Sequence, residues 1–249
     1  MWRGKELAGS ALDSAKNFSR ESRKISTRRL IFMRPIIYYC YDAYCGWCYG
    51  FSPVIKKIAE EYATDFDFEV LSGGMIPKDQ ARPIGVIAKY VSEAYKNVEE
   101  MSGIKFGPDF LWHIFNPDES DWVQHSEKSA VALCIFKEYF PGRQVEFASD
   151  LQYALHFEGR DLTDDEAYRH LLEKYQLDPD DFYKKLHSEE YVEKARYEFA
   201  LCQQLQVTGF PQVLIQIAEQ KFYLLAKGYT DYDSLKSRIE AVKKEITSS

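Results

Sequence analysis

What this chain has little of narrows its function first. Its 249 residues hold five cysteines, too few for a disulfide-stapled scaffold at this length. Three of them, Cys40, Cys134 and Cys202, stand apart in sequence, and only Cys45 and Cys48 share a spacing that carries chemistry. Basic residues are outnumbered, 32 Lys and Arg against 39 Asp and Glu, for a net charge of −7. That balance argues against nucleic acid as a partner, which calls for a basic face. No run approaches the roughly 18 apolar residues of a membrane span, and Met1 to Ser26 contains no apolar stretch of the secretory-signal kind. Phosphate loops are missing too: there is no Gly-x-Gly-x-x-Gly and no Gly-Lys-Ser/Thr.

Apolar material is plentiful. Hydrophobic residues make up 45% of the chain, with 18 Tyr and 16 Phe, enough for a sizeable core and far from low-complexity composition. Residues 1–34 differ, with nine Lys and Arg against three Asp and Glu. An organelle presequence would have this Arg- and Ser-bearing look, although its acids speak against one. The reading adopted is a non-core, ill-ordered extension, with Met33 as a candidate start.

After Pro35 the pattern changes. Ile36 to Tyr41 is a short apolar run of buried-strand length. Ser52 to Tyr62 carries Val54, Ile55, Ile58, Ala59 and Tyr62 on one helical face, and Phe66 to Leu71 alternates as a second strand. This is a βαβ unit with parallel strands. From Lys78 to Gln206 the spacing is helical, over Ile84–Tyr95, Ser126–Phe140, Val145–Phe157, Thr163–Tyr175, Pro179–His187 and Glu189–Leu205. Strand character returns at Val213–Ile217 and Phe222–Ala226, and Asp231 opens a last helix, Tyr232–Ile246. The expected fold is α/β, a βαβ–ββα core. Residues 35–77 and 207–249 form it, and 78–206 are a helical insertion.

Cys45-Gly46-Trp47-Cys48 falls between a buried strand and a helix. Thiol–disulfide exchange needs one thiolate to attack and a second thiol to resolve the mixed disulfide. At a helix start, Cys45 would have its thiolate favoured by unpaired N–H groups and the helix dipole. Cys48, one turn on, would resolve, while Gly46 and Trp47 would tune the pair. Half of a zinc site has the same spacing. Here there is no second Cys-x-x-Cys and no His pair at ligand spacing, so no metal is expected.

The run Tyr41-Asp42-Ala43-Tyr44-Cys45-Gly46-Trp47-Cys48-Tyr49-Gly50-Phe51, with Val207-Thr208-Gly209-Phe210-Pro211 far downstream, resembles the DsbA-like proteins. It is most similar to their branch of predicted protein-disulfide isomerases related to FrnE. The resemblance spans about residues 35–246. It implies a thioredoxin fold, catalysis by Cys45 and Cys48, and a cis Pro211 beside the dithiol, where the Phe210 backbone would meet an extended substrate. It implies no dissociable cofactor. Substrates would be protein or small-molecule disulfides, with glutathione as co-substrate or a protein reductant or oxidant recycling the pair. One position departs from the wider superfamily: where many members bury an acid six residues before the nucleophile, this chain has Tyr39. Asp42 is the nearest carboxylate, a candidate assistant, although a turn-forming role suits it better.

Other features have plainer readings. Ser72-Gly73-Gly74-Met75 would wall the dithiol. Phe110, Trp112, Phe115 and Trp122 read as core of the insertion rather than a groove. Cys40, Cys134 and Cys202 read as small core residues, and the histidines as surface or satisfied core. Two other functions compete: a glutathione-dependent isomerase or transferase of the kappa-class type, which carries Ser where this chain has Cys45, and a peptide-binding holdase indifferent to both cysteines. Retention of both thiols favours exchange. Few, scattered thiols and the missing signal favour the cytoplasm.

Overall fold

Ile36–Tyr41 forms strand β1 because its alternating side chains have a hydrophobic layer to enter on each side. Ile37, Tyr39 and Tyr41 point into the main core, while Cys40 points to the opposite face, against Leu71, Leu214 and Cys202. The computed structural model describes residues 34–248, so the expected extension over residues 1–34 lies outside the described residues but for Arg34.

Helix α1 (Gly46–Glu61) follows, then β2 (Asp67–Ser72), parallel to β1 with Tyr39 opposite Val70. Near the C-terminus, β5 (Gln212–Ala218) pairs antiparallel with β1, and β6 (Lys221–Lys227) with β5. The sheet order is β2-β1-β5-β6. Ile55 and Ile58 of α1, with Leu235, Ile239 and Val242 of the last helix α9 (Tyr232–Ser248), join the main core. Leu201, Cys202 and Leu205 lie over the other face. This is the thioredoxin-type α/β fold.

Between β2 and β5 lie α2 (Gly85–Ser102), α3 (Pro108–Phe115), α4 (Glu127–Tyr139), α5 (Gln144–His156), α6 (Arg169–Tyr175), α7 (Pro179–Leu186) and α8 (Glu189–Gln204). Several elements differ in extent from the sequence-based expectation. Helix α2 runs past Tyr95 to Ser102, and α6 opens only at Arg169, after a 3-10 turn over Asp165–Tyr168, instead of at Thr163. Helix α1 starts at Gly46, the helix start expected at Cys45 although apolar periodicity begins only at Ser52, and runs through Pro53. The ring of Pro53 leaves the Tyr49 carbonyl without its helical donor, and the Ser52 hydroxyl donates to that carbonyl at 2.9 Å. Helix α3 was read as part of an aromatic cluster. It opens on Pro108 after Gly107, the favoured first-turn place for proline, and splits that cluster. Phe110 and Trp122 are buried, while Trp112 and Phe115 are exposed, so these two are not core.

A further pairing had no sequence signal. Arg82–Pro83 (β3) and Val123–Gln124 (β4) make a two-stranded antiparallel ladder with Arg82 opposite Gln124. Strands of two residues are too short to show a period.

Candidate functional site

Cys45 occupies the N-cap of α1, with φ −85° and ψ 107°. Its backbone N–H donates to the Asp42 carbonyl at 3.1 Å, closing the turn that leaves β1. Its sulfur accepts a hydrogen bond from the Cys48 N–H at 3.3 Å, the task an N-cap oxygen performs in most helices. A thiolate held there faces the positive end of the helix dipole. Cys48 is fully buried one turn on. Burial, then its hydrogen bond to Cys45 and the charge of Cys45, push the Cys48 thiol well above its usual range. The two sulfurs therefore stand in unequal settings, one at the rim of a cleft and one inside the core.

Three chain segments converge on Cys45. The Cys45 thiol lies 3.6 Å from the Phe210 carbonyl, to which it donates. The Phe210–Pro211 peptide is cis, and Pro211 itself is buried. Gly73 and Gly74, after β2, bring backbone up to the Phe210 and Phe199 rings. Gly74 has φ +63°, a conformation glycine adopts freely, and a Cβ at Gly73 would overlap the Phe210 ring. Trp47 is half-buried and meets Tyr229 at 6.3 Å between ring centroids. Together with α2 and α3 these segments wall a cleft of about 640 Å³, lined by Cys45, Trp47, Gly73, Met75, Phe106 and Phe210 among others.

Asp42 does not reach the cleft wall. It is 1% exposed, and its carboxylate accepts from the Tyr44 N–H at 3.0 Å and the Met75 N–H at 2.7 Å. Burial raises its pKa, against those two donors, which lower it. The geometry is that of a turn-forming carboxylate fastening the Cys45 loop to the segment after β2. Tyr39 is also buried, and its hydroxyl has no hydrogen-bond partner. Burial, then the charges of Cys48 and Cys45, push that phenol far up, so it stays protonated while facing the dithiol.

His156 was missed. It is 2% exposed at the end of α5, stacks on Tyr49, and its Nε2 lies 3.2 Å from the Ala43 carbonyl. Nε2 carries the proton in that contact, leaving Nδ1 buried and unpartnered. Burial holds its pKa down at about 3, so the ring is neutral. A lone histidine in sequence gives no sign of such a partner. Cys40, Cys134 and Cys202 are buried away from the cleft, Cys134 against Glu198 at 3.4 Å and Cys202 against the Ser72 carbonyl at 3.6 Å. Among the described residues no cluster of His, Cys, Asp and Glu forms a metal site, and no helix is long and apolar enough to cross a membrane.

Residues 36–240 match the DSBA-like thioredoxin domain family. Among solved structures, a candidate protein disulfide isomerase from Nitrosomonas europaea superposes with a TM-score of 0.72 at 18% identity, covering 86% of this chain and 99% of that one. The cytosolic disulfide reductase DsbM from Pseudomonas aeruginosa superposes with a TM-score of 0.67 at 22% identity, over 84% of this chain and 98% of its own. DsbM is also similar in a structure with GSH, at a TM-score of 0.65. A curated relative, the ClpXP adapter protein SpxH of Bacillus subtilis (strain 168), is 23% identical over 178 residues, which is 70% of this chain and 56% of that protein.

Proposed function

The chain belongs to the DSBA-like thioredoxin domain family and is a thiol–disulfide oxidoreductase, and we propose that it reduces or isomerises substrate disulfides through Cys45 and Cys48. The observation that carries this is the N-cap: the Cys45 sulfur takes the Cys48 N–H at a helix start and opens on the cleft, while Cys48 is sealed beneath it.

Cys45 attacks as thiolate on one sulfur of a substrate disulfide, and the other sulfur leaves as thiolate and takes up a proton. The Cys48 thiol loses its proton and attacks the Cys45 sulfur of the mixed disulfide. That step releases the substrate thiol and leaves a Cys45–Cys48 disulfide. Two electrons have moved to the substrate, and two thiols of glutathione or of a protein reductant restore the pair. Burial keeps Cys48 a thiol until the mixed disulfide brings an electrophilic sulfur beside it, which separates the two steps in time. Phe210 and cis Pro211 place backbone beside Cys45, where an extended substrate segment would lie, and Trp47 forms the adjoining wall. A buried Tyr39 hydroxyl facing the pair is a neutral hydrogen-bond donor where an acid would otherwise stand, and it keeps its own proton. The cytoplasm is the compartment we propose, from the odd number of cysteines and the scatter of Cys40, Cys134 and Cys202 along the sequence.

The test is equilibration of the purified protein in glutathione redox buffers, with alkylation trapping and mass spectrometry of the Cys45–Cys48 peptide and Cys45→Ser as control. A reversible two-electron transition lost in Cys45→Ser is the expected result. A pair that stays reduced throughout, or that carries bound zinc, would overturn the reading.

A further inference from the structure

Most of the cleft beside Cys45 is apolar or aromatic, but one wall is different. Arg82 and Gln124 stand opposite each other in the β3–β4 ladder. Directly paired residues of an antiparallel ladder present their side chains on one face, and both of these line the cleft. Gln124 is 2% exposed, yet its side-chain carbonyl has no hydrogen-bond partner. The Arg82 Nε is likewise buried and unpartnered.

Arg82 is exceptional among the described arginines. Arg34, Arg143, Arg160, Arg169 and Arg196 each pair with a carboxylate, and Arg238 donates to the Leu225 carbonyl. Arg82 has neither, and among the described residues nothing else is paired with it. Among the described residues it is also the only formally charged side chain of the cleft wall, in a chain of net charge −7. A guanidinium half-sunk in an apolar wall with no anion loses hydration without compensation. A ligand that brings a carboxylate to it would meet a preformed fork of donors. A peptide N–H one bond group away would satisfy the Gln124 carbonyl. The cleft volume of about 640 Å³ accommodates a short peptide.

We propose that Arg82 and Gln124 form a subsite for the carboxylate and neighbouring amide of a small peptide thiol of the glutathione class, delivering its sulfur to Cys45. The inference rests on the reading of Cys45 as the exchanging thiol. In the recycling direction, a ligand thiolate attacks Cys45 of the Cys45–Cys48 disulfide, and Cys48 leaves and takes up a proton. A second ligand thiolate then attacks the ligand sulfur of the mixed disulfide. The oxidised dimeric ligand departs with two electrons left on the pair, and Cys45 is released as thiolate.

Two measurements test it. The first compares the rate at which reduced glutathione and 2-mercaptoethanol, which has no carboxylate or amide, reduce the oxidised full chain. Arg82→Met is expected to slow glutathione about tenfold or more, the loss of a charge-assisted pair, and to leave 2-mercaptoethanol within about twofold, with Arg82→Lys recovering part of the difference. Equal slowing of both thiols, or of neither, overturns the subsite. The second is titration calorimetry with S-methylglutathione, which cannot exchange: binding to the wild type that is lost in Arg82→Met and weakened in Gln124→Leu supports the subsite. Absent binding to the wild type overturns it. If S-methylglutathione binds through Arg82 while the dithiol fails to react with any thiol, the subsite stands and the exchange reading falls.

Discussion

Phe210 lays its ring on the backbone of Gly73, in the space a side chain at that position would fill. The same Phe210 places its carbonyl 3.6 Å from the Cys45 sulfur. The turn after β2 and the loop before β5 are thus set against each other by one missing methyl group, and their meeting fixes one wall of the cleft. Gly73→Ala must displace the ring, the loop, or both. The expected outcome is a loss of about 1–3 kcal/mol of stability from overpacking, with exchange at Cys45 slowed several-fold while the pair remains intact. Urea unfolding and the rate of glutathione disulfide reduction check the two parts. Unchanged kinetics in the folded variant would mean that the position of Phe210 does not matter to Cys45.

The five cysteines are all free and all buried, but they are not equivalent. Only Cys45 lines the cleft, at 7% exposure, while Cys48 and Cys40 are at 0%, Cys202 at 2% and Cys134 at 6% outside it. Burial also pushes Cys48 and Cys134 up, and a thiol that does not ionise does not alkylate. Iodoacetamide at pH 8 is therefore expected to label one cysteine of the reduced native protein promptly, at Cys45, with the other four reacting only in denaturant. Timed quenching and peptide mass mapping read this directly. Cys48 labelling at the pace of Cys45 would remove the asymmetry on which the two-step mechanism depends.

That asymmetry was partly legible in the sequence. The strand before the dithiol, the parallel return of β2 and the hairpin of β5 and β6 follow from short apolar runs bounded by Gly, Pro and Asp, so the thioredoxin-type core could be read. The start of α1 at Cys45 followed from the chemistry of the dithiol and not from periodicity, because Gly46, Gly50 and Pro53 are poor helix formers. What holds that first turn is the Cys45 cap and the burial of Tyr49 and Phe51, which are tertiary facts. His156 and the Arg82–Gln124 pair were invisible for the same reason. Each acquires its meaning from a partner distant in sequence, the Ala43 carbonyl in one case and a two-residue ladder in the other.

Lys137 holds the far side of the site in place. Its ammonium donates to Glu198 at 2.7 Å, to Glu69 at 2.6 Å and to the Val70 carbonyl, and the other Glu198 oxygen accepts from the Ser72 N–H at 2.9 Å. Burial pulls the Lys137 pKa down, but the two carboxylates outweigh it and hold the lysine charged. Lys137→Met strands Glu198, whose side chain is 9% exposed, without its cation. A loss of about 3–5 kcal/mol in urea unfolding is expected at pH 7, and the double change Lys137→Met with Glu198→Met should recover part of it, since a buried pair costs desolvation that an apolar pair does not. A single variant as stable as the wild type would show that Glu198 finds its compensation elsewhere.

His156 makes stability depend on pH with a definite sign. In the native state its pKa is down at about 3 because burial penalises the imidazolium, against an ordinary value of 6.5. As pH falls through 6.5 the unfolded chain takes up a proton that the native ring refuses, so protons favour unfolding until the native pKa is reached. Stability from this group is therefore complete above about pH 7 and drains away between about 6.5 and 3. Over that window the slope approaches about 1.4 kcal/mol per pH unit. His156→Gln keeps an N–H for the Ala43 carbonyl but has nothing to titrate. It is expected to be less stable than the wild type at pH 7, where the stacking on Tyr49 and the edge contact with Phe110 are lost, yet to lose about 2 kcal/mol less between pH 7 and pH 5. Asp42, whose pKa burial raises, works in the opposite direction but is present in both proteins, so it cancels in the comparison. Urea midpoints at the two pH values for both proteins decide it. Parallel pH profiles would mean that the His156 imidazole finds a way to hold its proton inside the fold.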